Sequence, residues 1–377
     1  MKELKVIIFS FAGLAISMLA CKESNTQRVN LETSVEGDSV SVVKNTFANP
    51  LLESGADPWA IYHDSNYYYI KSGGGAITLM RTPDITDLKN AEQKVVWTAP
   101  ETGDHSKNIW APEIHYIEGN WYVYVAADDG DNRNHRMFVL ENTSPNPFEG
   151  EFRVKSKLKT DEDDNWAIDG SIFKHNNQFY FIWSGWEKPK DKIETQNIYI
   201  AEMSDPWTIS SERVLLSTPE HPWERNWEYP GVWRPNAPVY VNEGPQILRH
   251  GKKLHLIYSA SGCWTPYYAL GLLTMNVNRN PMDASSWTKS KTPIFKQSKE
   301  NGVYGTGHNS FFKSPDGTED WILYHANDTP IDGCSNKRSP RAQKMSWTDD
   351  DMPVLGIPLP NSKPLKKPSG TITAKNK

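Results

Sequence analysis

The stretch Ile168-Asp169-Gly170-Ser171-Ile172-Phe173, followed by the turn His175-Asn176-Asn177 and by Phe179-Tyr180-Phe181-Ile182, decides the fold. A polar residue opens it, a short apolar strand follows, and a turn leads into a strand of large apolar side chains. That is the pattern of a β-hairpin. The pattern recurs four times. Ala56-Asp57-Pro58-Trp59-Ala60-Ile61-Tyr62 leads to Tyr67-Tyr68-Tyr69-Ile70, and Ala111-Pro112-Glu113-Ile114-His115-Tyr116 leads to Trp121-Tyr122-Val123-Tyr124. Downstream, Asn242-Glu243-Gly244-Pro245-Gln246-Ile247-Leu248 leads to Leu254-His255-Leu256-Ile257, and Gly307-His308-Asn309-Ser310-Phe311-Phe312 leads to Trp321-Ile322-Leu323-Tyr324. The opening polar residues Asp57, Glu113, Asp169, Glu243 and His308 are 56, 56, 74 and 65 positions apart. No long amphipathic helix interrupts them. A hairpin repeated at this period predicts an all-β, five-bladed β-propeller with one such hairpin in each blade.

The bulk composition agrees. The chain has 377 residues, among them 15 Trp, 16 Tyr and 12 Phe, which is enough large apolar material for a substantial core. Its formal net charge is −5, with no long basic run outside the C-terminal tail, so no nucleic-acid partner is expected. The propeller is expected over residues 46–360.

The two ends read differently. Lys2 and Lys5 precede an almost continuous apolar run from Val6 to Ala20, which predicts a signal peptide over residues 1–20. Met18-Leu19-Ala20-Cys21 resembles the lipobox of bacterial lipoproteins, with Met18 where Leu is usual, so Cys21 is the expected lipidation site. Residues 21–45 are polar, lack a strand pattern and read as a flexible tether. Residues 361–377 read as a disordered basic tail. The expected setting is therefore the bacterial cell envelope, at the outer membrane and facing either the periplasm or the surface. Contact with the membrane would run through the N-terminal lipid alone, and a monomer is expected. Once Cys21 is lipidated, Cys263 and Cys334 remain, either paired or as two isolated thiols.

If each hairpin begins on the innermost strand of its blade, Asp57, Glu113, Asp169, Glu243 and His308 converge at one mouth of the central channel. Carboxylates crowded together repel and shift one another's pKa, which marks a site rather than a structural need. Glycoside hydrolysis uses such a set: one carboxyl group protonated, one ionised, and a third able to raise the pKa of the acid. It requires no cofactor.

The segments Ala56-Asp57-Pro58-Trp59, Trp110-Ala111-Pro112-Glu113, Ile168-Asp169-Gly170-Ser171, Asn242-Glu243-Gly244-Pro245 and Gly307-His308-Asn309 resemble glycoside hydrolase family 43, in order, from about Asn49 to Pro360. The resemblance implies an inverting mechanism with Asp57 as general base, Glu243 as general acid and Asp169 as the carboxylate that tunes and orients the acid. It implies that Arg338 contacts the sugar. It also implies that His308 is a channel histidine beside a water-coordinated calcium or similar ion. Trp59, Trp110 and Glu113 are further candidates for substrate contact. Trp233-Arg234-Pro235-Asn236-Ala237, Tyr324-His325-Ala326 and Arg341-Ala342-Gln343 look most like the exo-acting α-L-arabinofuranosidases, so the expected substrate is plant arabinan or arabinoxylan, as polymer or oligosaccharide. Other members of the family act as β-xylosidases, endo-arabinanases or galactosidases with the same three acids. A non-catalytic glycan-binding propeller would require one of those acids to be replaced, and none is.

Overall fold

The computed structural model describes residues 45–188 and 195–372. The signal peptide, Cys21 and nearly all of the 21–45 tether lie outside the described residues. Among the described residues the helical pieces are four short 3-10 turns, and the rest of the regular structure is β. The five hairpins fall where the sequence puts them, each widened into an antiparallel sheet. Blade one runs Trp59–His63, Asn66–Gly73, Ala76–Thr82 and Glu92–Thr98; blade two runs Lys107–Ile117, Asn120–Asp128, Arg136–Asn142 and Arg153–Leu158. Blade three runs Ala167–His175, Gln178–Gly185, Asn197–Asp205 and Thr208–Ile209, with Val214–Ser217 also paired to its third strand. Blade four runs Asn242–His250, Lys253–Ala260, Ala269–Asn276 and Thr288–Lys289, and blade five runs Tyr304–Lys313, Asp320–Asn327 and Ser339–Lys344. The arrangement is a five-bladed β-propeller.

Alternation along the strands explains why the second strand of each hairpin is apolar throughout. Successive side chains point to opposite faces, and in a ring of stacked blades both faces are covered. Tyr68 and Ile70 pack with Ile114, Trp121 and Val123 of blade two, whereas Tyr67 and Tyr69 pack with Phe312, Trp321 and Leu323 of blade five. Five apolar clusters fill the five seams between neighbouring blades, and each large aromatic buried there contributes about 2–3 kcal/mol.

The ring closes by a side-chain device. The third strand of blade five has an open edge, and residues 49–55 lie along it in place of a fourth strand. Asn49 Nδ2 donates to Ala342 O (2.9 Å), and Ala342 N donates back to Asn49 Oδ1 (3.0 Å). Leu51 N then donates to Pro340 O (2.8 Å) and Gly55 N to Arg338 O (3.0 Å). The expectation of a disordered tail from residue 361 fails over its described part. Leu365–Lys366 pairs with Thr46–Phe47, Lys367 Nζ bonds Asp84 (2.6 Å), and Ser369 N donates to Glu319 (3.0 Å). Lys367 and Ser369, polar residues that made the segment look unstructured, dock it on acidic partners.

Asn49→Ala would leave a buried N–H and a buried C=O of Ala342 unpaired. The expected cost is about 2–4 kcal/mol, seen as a lowered Tm in thermal denaturation. An unchanged Tm would show that the ring is held closed elsewhere.

Candidate active site

The inner strands of blades two to five are irregular near their starts. In blades two to five the pairing with the second strand slips at Ala111-Pro112, Asp169-Gly170, Gly244-Pro245 and His308-Asn309, where two residues oppose one. These are β-bulges, and the first residue of each is left-handed: Ala111 at φ 43°, Asp169 at 54°, Gly244 at 55° and His308 at 46°. Asp57, two residues before the first strand of blade one, has φ 54°. For a residue other than glycine this backbone costs about 1–3 kcal/mol and persists only where the surroundings enforce it. At the second bulge position of blade three, a Cβ on Gly170 would fall 2.1 Å from Phe181 Cζ, so glycine is required there.

The bulges correct the alignment of the five leading residues. Asp57, Asp169 and His308 are equivalent to Ala111 and Gly244, while Glu243 sits one residue before its bulge and Glu113 two residues after the start of its own. Glu113 therefore leaves the group of acids. It is buried, accepts a hydrogen bond from Gln246 Nε2 and faces His115 Nε2 at 3.2 Å. Ser171 Oγ joins the same layer through Gln246 (3.4 Å). Glu113 is thus part of a buried polar network that ties blades two, three and four together.

Asp57, Asp169, Glu243, His308 and Arg338 do come together. Asp57 Oδ1 lies 3.2 Å from His308 Nδ1 and 3.2 Å from Arg338 Nη1, and His308 Nδ1 is 4.0 Å from Asp169 Oδ2. Gly244 N donates to Asp169 Oδ2 (3.1 Å). Tyr268 Oη donates to Glu243 Oε1 (2.8 Å). The left-handed turn at Gly244 thus aims a backbone N–H at one acid while its neighbour Glu243 presents the other.

The environments drive the three carboxyl groups apart. Burial pushes the Asp57 pKa up, but the adjacent His308 and the Arg338 guanidinium overcome it and hold this carboxyl well below the usual range. Burial, then the charges of Glu243 and Asp57, push Asp169 well above the usual range. Burial raises Glu243 to about 7, helped by Asp57 and opposed by the Tyr268 hydroxyl and Arg338. Asp169 and Glu243 titrate as a pair.

His325 and Tyr268 were assigned no role from sequence. Burial lowers the His325 pKa to about 4, so its ring is neutral at neutral pH. Asp57 N donates to its Nδ1 (3.1 Å), and the ring lies parallel to Tyr268 with centroids 5.6 Å apart. A histidine inside the apolar run Trp321-Ile322-Leu323-Tyr324-His325-Ala326 was the available signal. Tyr268, just before a strand, gave none. Ser259 was also missed; its Oγ accepts from His308 N (2.7 Å) and holds the strained turn.

The remaining candidates separate. Trp59 donates its indole N–H to Ile114 O (2.8 Å) and packs against His115, which makes it a wedge between blades one and two rather than a free platform. Trp110 is 38% exposed and stacks on His135 with centroids 4.0 Å apart. His308 turns Nδ1 to Asp57, and among the described residues no three His, Cys, Asp or Glu side chains converge as metal ligands. Cys263 and Cys334, left open between pairing and isolation, form a disulfide with Cα atoms 5.4 Å apart. It joins the loop leading to Tyr268 with the loop leading to Arg338.

The profile of Glycosyl hydrolases family 43 matches residues 47–353. An extracellular exo-α-(1→5)-L-arabinofuranosidase of Streptomyces avermitilis is 34% identical over 368 residues, covering 95% of this chain and 71% of that one. An α-L-arabinofuranosidase 43 of Humicola insolens is 34% identical, covering 84% of this chain and 64% of its own length. The crystal structure of an α-L-arabinofuranosidase from Lactobacillus brevis superposes with a TM-score of 0.76 at 32% identity, covering 84% of this chain and 98% of that one. Five inner strands bringing three carboxyl groups to one channel mouth, and a family match spanning that entire ring, lead to one statement: the chain belongs to glycoside hydrolase family 43.

Proposed function

We propose that the protein is an exo-acting, inverting α-L-arabinofuranosidase that releases terminal arabinofuranose from arabinan or arabinoxylan chains. The observation that carries this reading is the split between two carboxyl groups at one channel mouth: Asp57 held ionised, Glu243 held protonated up to about pH 7. Such a split assigns base and acid. Similarity to arabinofuranosidases over most of the chain supports the choice of sugar.

In the proposed reaction a water oxygen attacks the anomeric carbon while Asp57 accepts a proton from it. Glu243 gives its proton to the glycosidic oxygen, the C–O bond breaks, and the leaving chain departs as a neutral alcohol. The proton on Asp57 returns to Glu243 through solvent. Asp169 stands beside the acid and orients it, and Gly244 N–H fixes where Asp169 points. Arg338 orients and charges the base, and its guanidinium borders the sugar. Trp110 offers a half-exposed indole face at the same mouth. No step runs through a metal. We further propose export, in keeping with relatives described as extracellular, with lipid attachment at Cys21 and action as a monomer.

Glu243→Gln removes the acid's proton without changing its shape. The expected result is a loss of at least about 100-fold in kcat on arabino-oligosaccharides, and a smaller loss on aryl arabinofuranosides whose leaving group needs little protonation. Equal, small losses on both substrates would remove Glu243 as acid. Activity falls as pH rises through about 7, because the form that donates the proton is lost there. Tyr268→Phe deletes a hydrogen bond that lowers the Glu243 pKa, so the alkaline limb of the pH profile moves to higher pH. A shift to lower pH would contradict the assignment.

A further inference from the structure

The loops at the site face of blades four and five expose more apolar surface than folding calls for. Trp233 is 73% exposed, Ile331 60% and Tyr267 37%. All three lie on segments gathered by the Cys263–Cys334 disulfide, which packs with Val239, Val241, Trp264, Trp227 and Val232. Trp264 donates its indole N–H to Trp227 O (2.8 Å) and meets Trp233 edge to face, with centroids 6.1 Å apart at 83°. The Arg234 guanidinium lies 5.3 Å from the Trp227 ring centre and pairs with Glu228. A Cβ on Gly333 would stand 3.0 Å from Val232 Cγ1, so the loop of Trp233 and the loop of Cys334 touch closely. Trp233 is therefore braced at its base while its ring faces water. A braced, exposed indole offers a flat apolar face to the C–H edge of a furanose ring.

Glu243 settles which sugar lies there. A general acid protonates the glycosidic oxygen, so the leaving part of the chain must depart on its side of the site. Tyr268 is the hydrogen-bond donor to Glu243, and its neighbour Tyr267 is one of the exposed rim residues. Tyr267 meets Tyr229, on the loop that carries Trp233, edge to face with centroids 5.9 Å apart.

We propose that Trp233, with Tyr267, is the platform for the second sugar of the arabinan chain, on the leaving side of the scissile bond. The Cys263–Cys334 disulfide holds this platform in register with Glu243 and Arg338. The inference rests on the arabinofuranosidase reading and names the surface that makes the enzyme select oligosaccharides.

The test compares kcat/KM on α-1,5-L-arabinotriose with kcat/KM on 4-nitrophenyl α-L-arabinofuranoside for the full chain, Trp233→Ala, Trp233→Phe and Cys263→Ser/Cys334→Ser. The ratio of triose to aryl substrate is expected to fall about tenfold in Trp233→Ala, mainly through KM for the triose, and to recover in Trp233→Phe. It falls similarly when the disulfide is removed. Trp233 is exposed, so the alanine variant is expected to keep its Tm. An unchanged ratio in Trp233→Ala overturns the platform, as does a ratio that falls in Trp110→Ala but not in Trp233→Ala, which would send the chain over the blade-two rim. Wild-type protein inactive on both substrates would overturn the function itself, a different failure from active protein with an unchanged ratio.

Discussion

Left-handed backbone at the mouth of the channel is the constraint on which the site depends. Asp57, Asp169 and His308 all adopt it, although none is glycine. A regular strand would alternate these side chains between the two faces of a blade, where the apolar seams lie. The bulge breaks the alternation and turns one residue per blade towards the axis. The five seams supply the rigidity that keeps the strained turns from relaxing, with Ser259 and Gly244 adding hydrogen bonds to the turn at His308 and to the Asp169 carboxyl respectively.

That geometry generates the electrostatics. Three carboxyl groups near one axis cannot all ionise freely, so the charges placed around each decide which one does. Arg338 and His308 stand beside Asp57, whereas burial and the charge of Asp57 raise Glu243, and burial and the charge of Glu243 raise Asp169. The neutral His325 and Tyr268 form a stacked bridge between the Asp57 backbone and the Glu243 side chain. Blades four and five supply both Tyr268 and Arg338 from loops joined by one disulfide, so the partners of Glu243 and Asp57 share a common support.

Much of this was legible before any coordinates. The repeated hairpin announced the five blades, because a strand buried on both faces must be apolar at every position, as Tyr67-Tyr68-Tyr69-Ile70 is. The three acids stood out through their places in that repeat, and Arg338 through the family resemblance. The register of the repeat did not: Glu113 and Glu243 occupy similar motifs, but a two-residue bulge separates them by three positions relative to it. Motif letters do not reveal which residue takes positive φ, since Ala111 does so in blade two. Trp59 looked like a sugar platform until its indole N–H was seen bonded to Ile114. The tail from residue 361 looked disordered because its partners, Asp84 and Glu319, lie far away in sequence.

The central claim is that Asp57 activates water while Glu243 protonates the leaving group, in one displacement at the anomeric carbon. Proton NMR of the sugar released in the first minutes from an aryl α-L-arabinofuranoside tests it most directly. The account predicts that β-L-arabinose appears first and the α-anomer grows in later by mutarotation. Initial release of the α-anomer would mean that a carboxylate attacks the sugar itself, and would contradict the roles assigned to both acids.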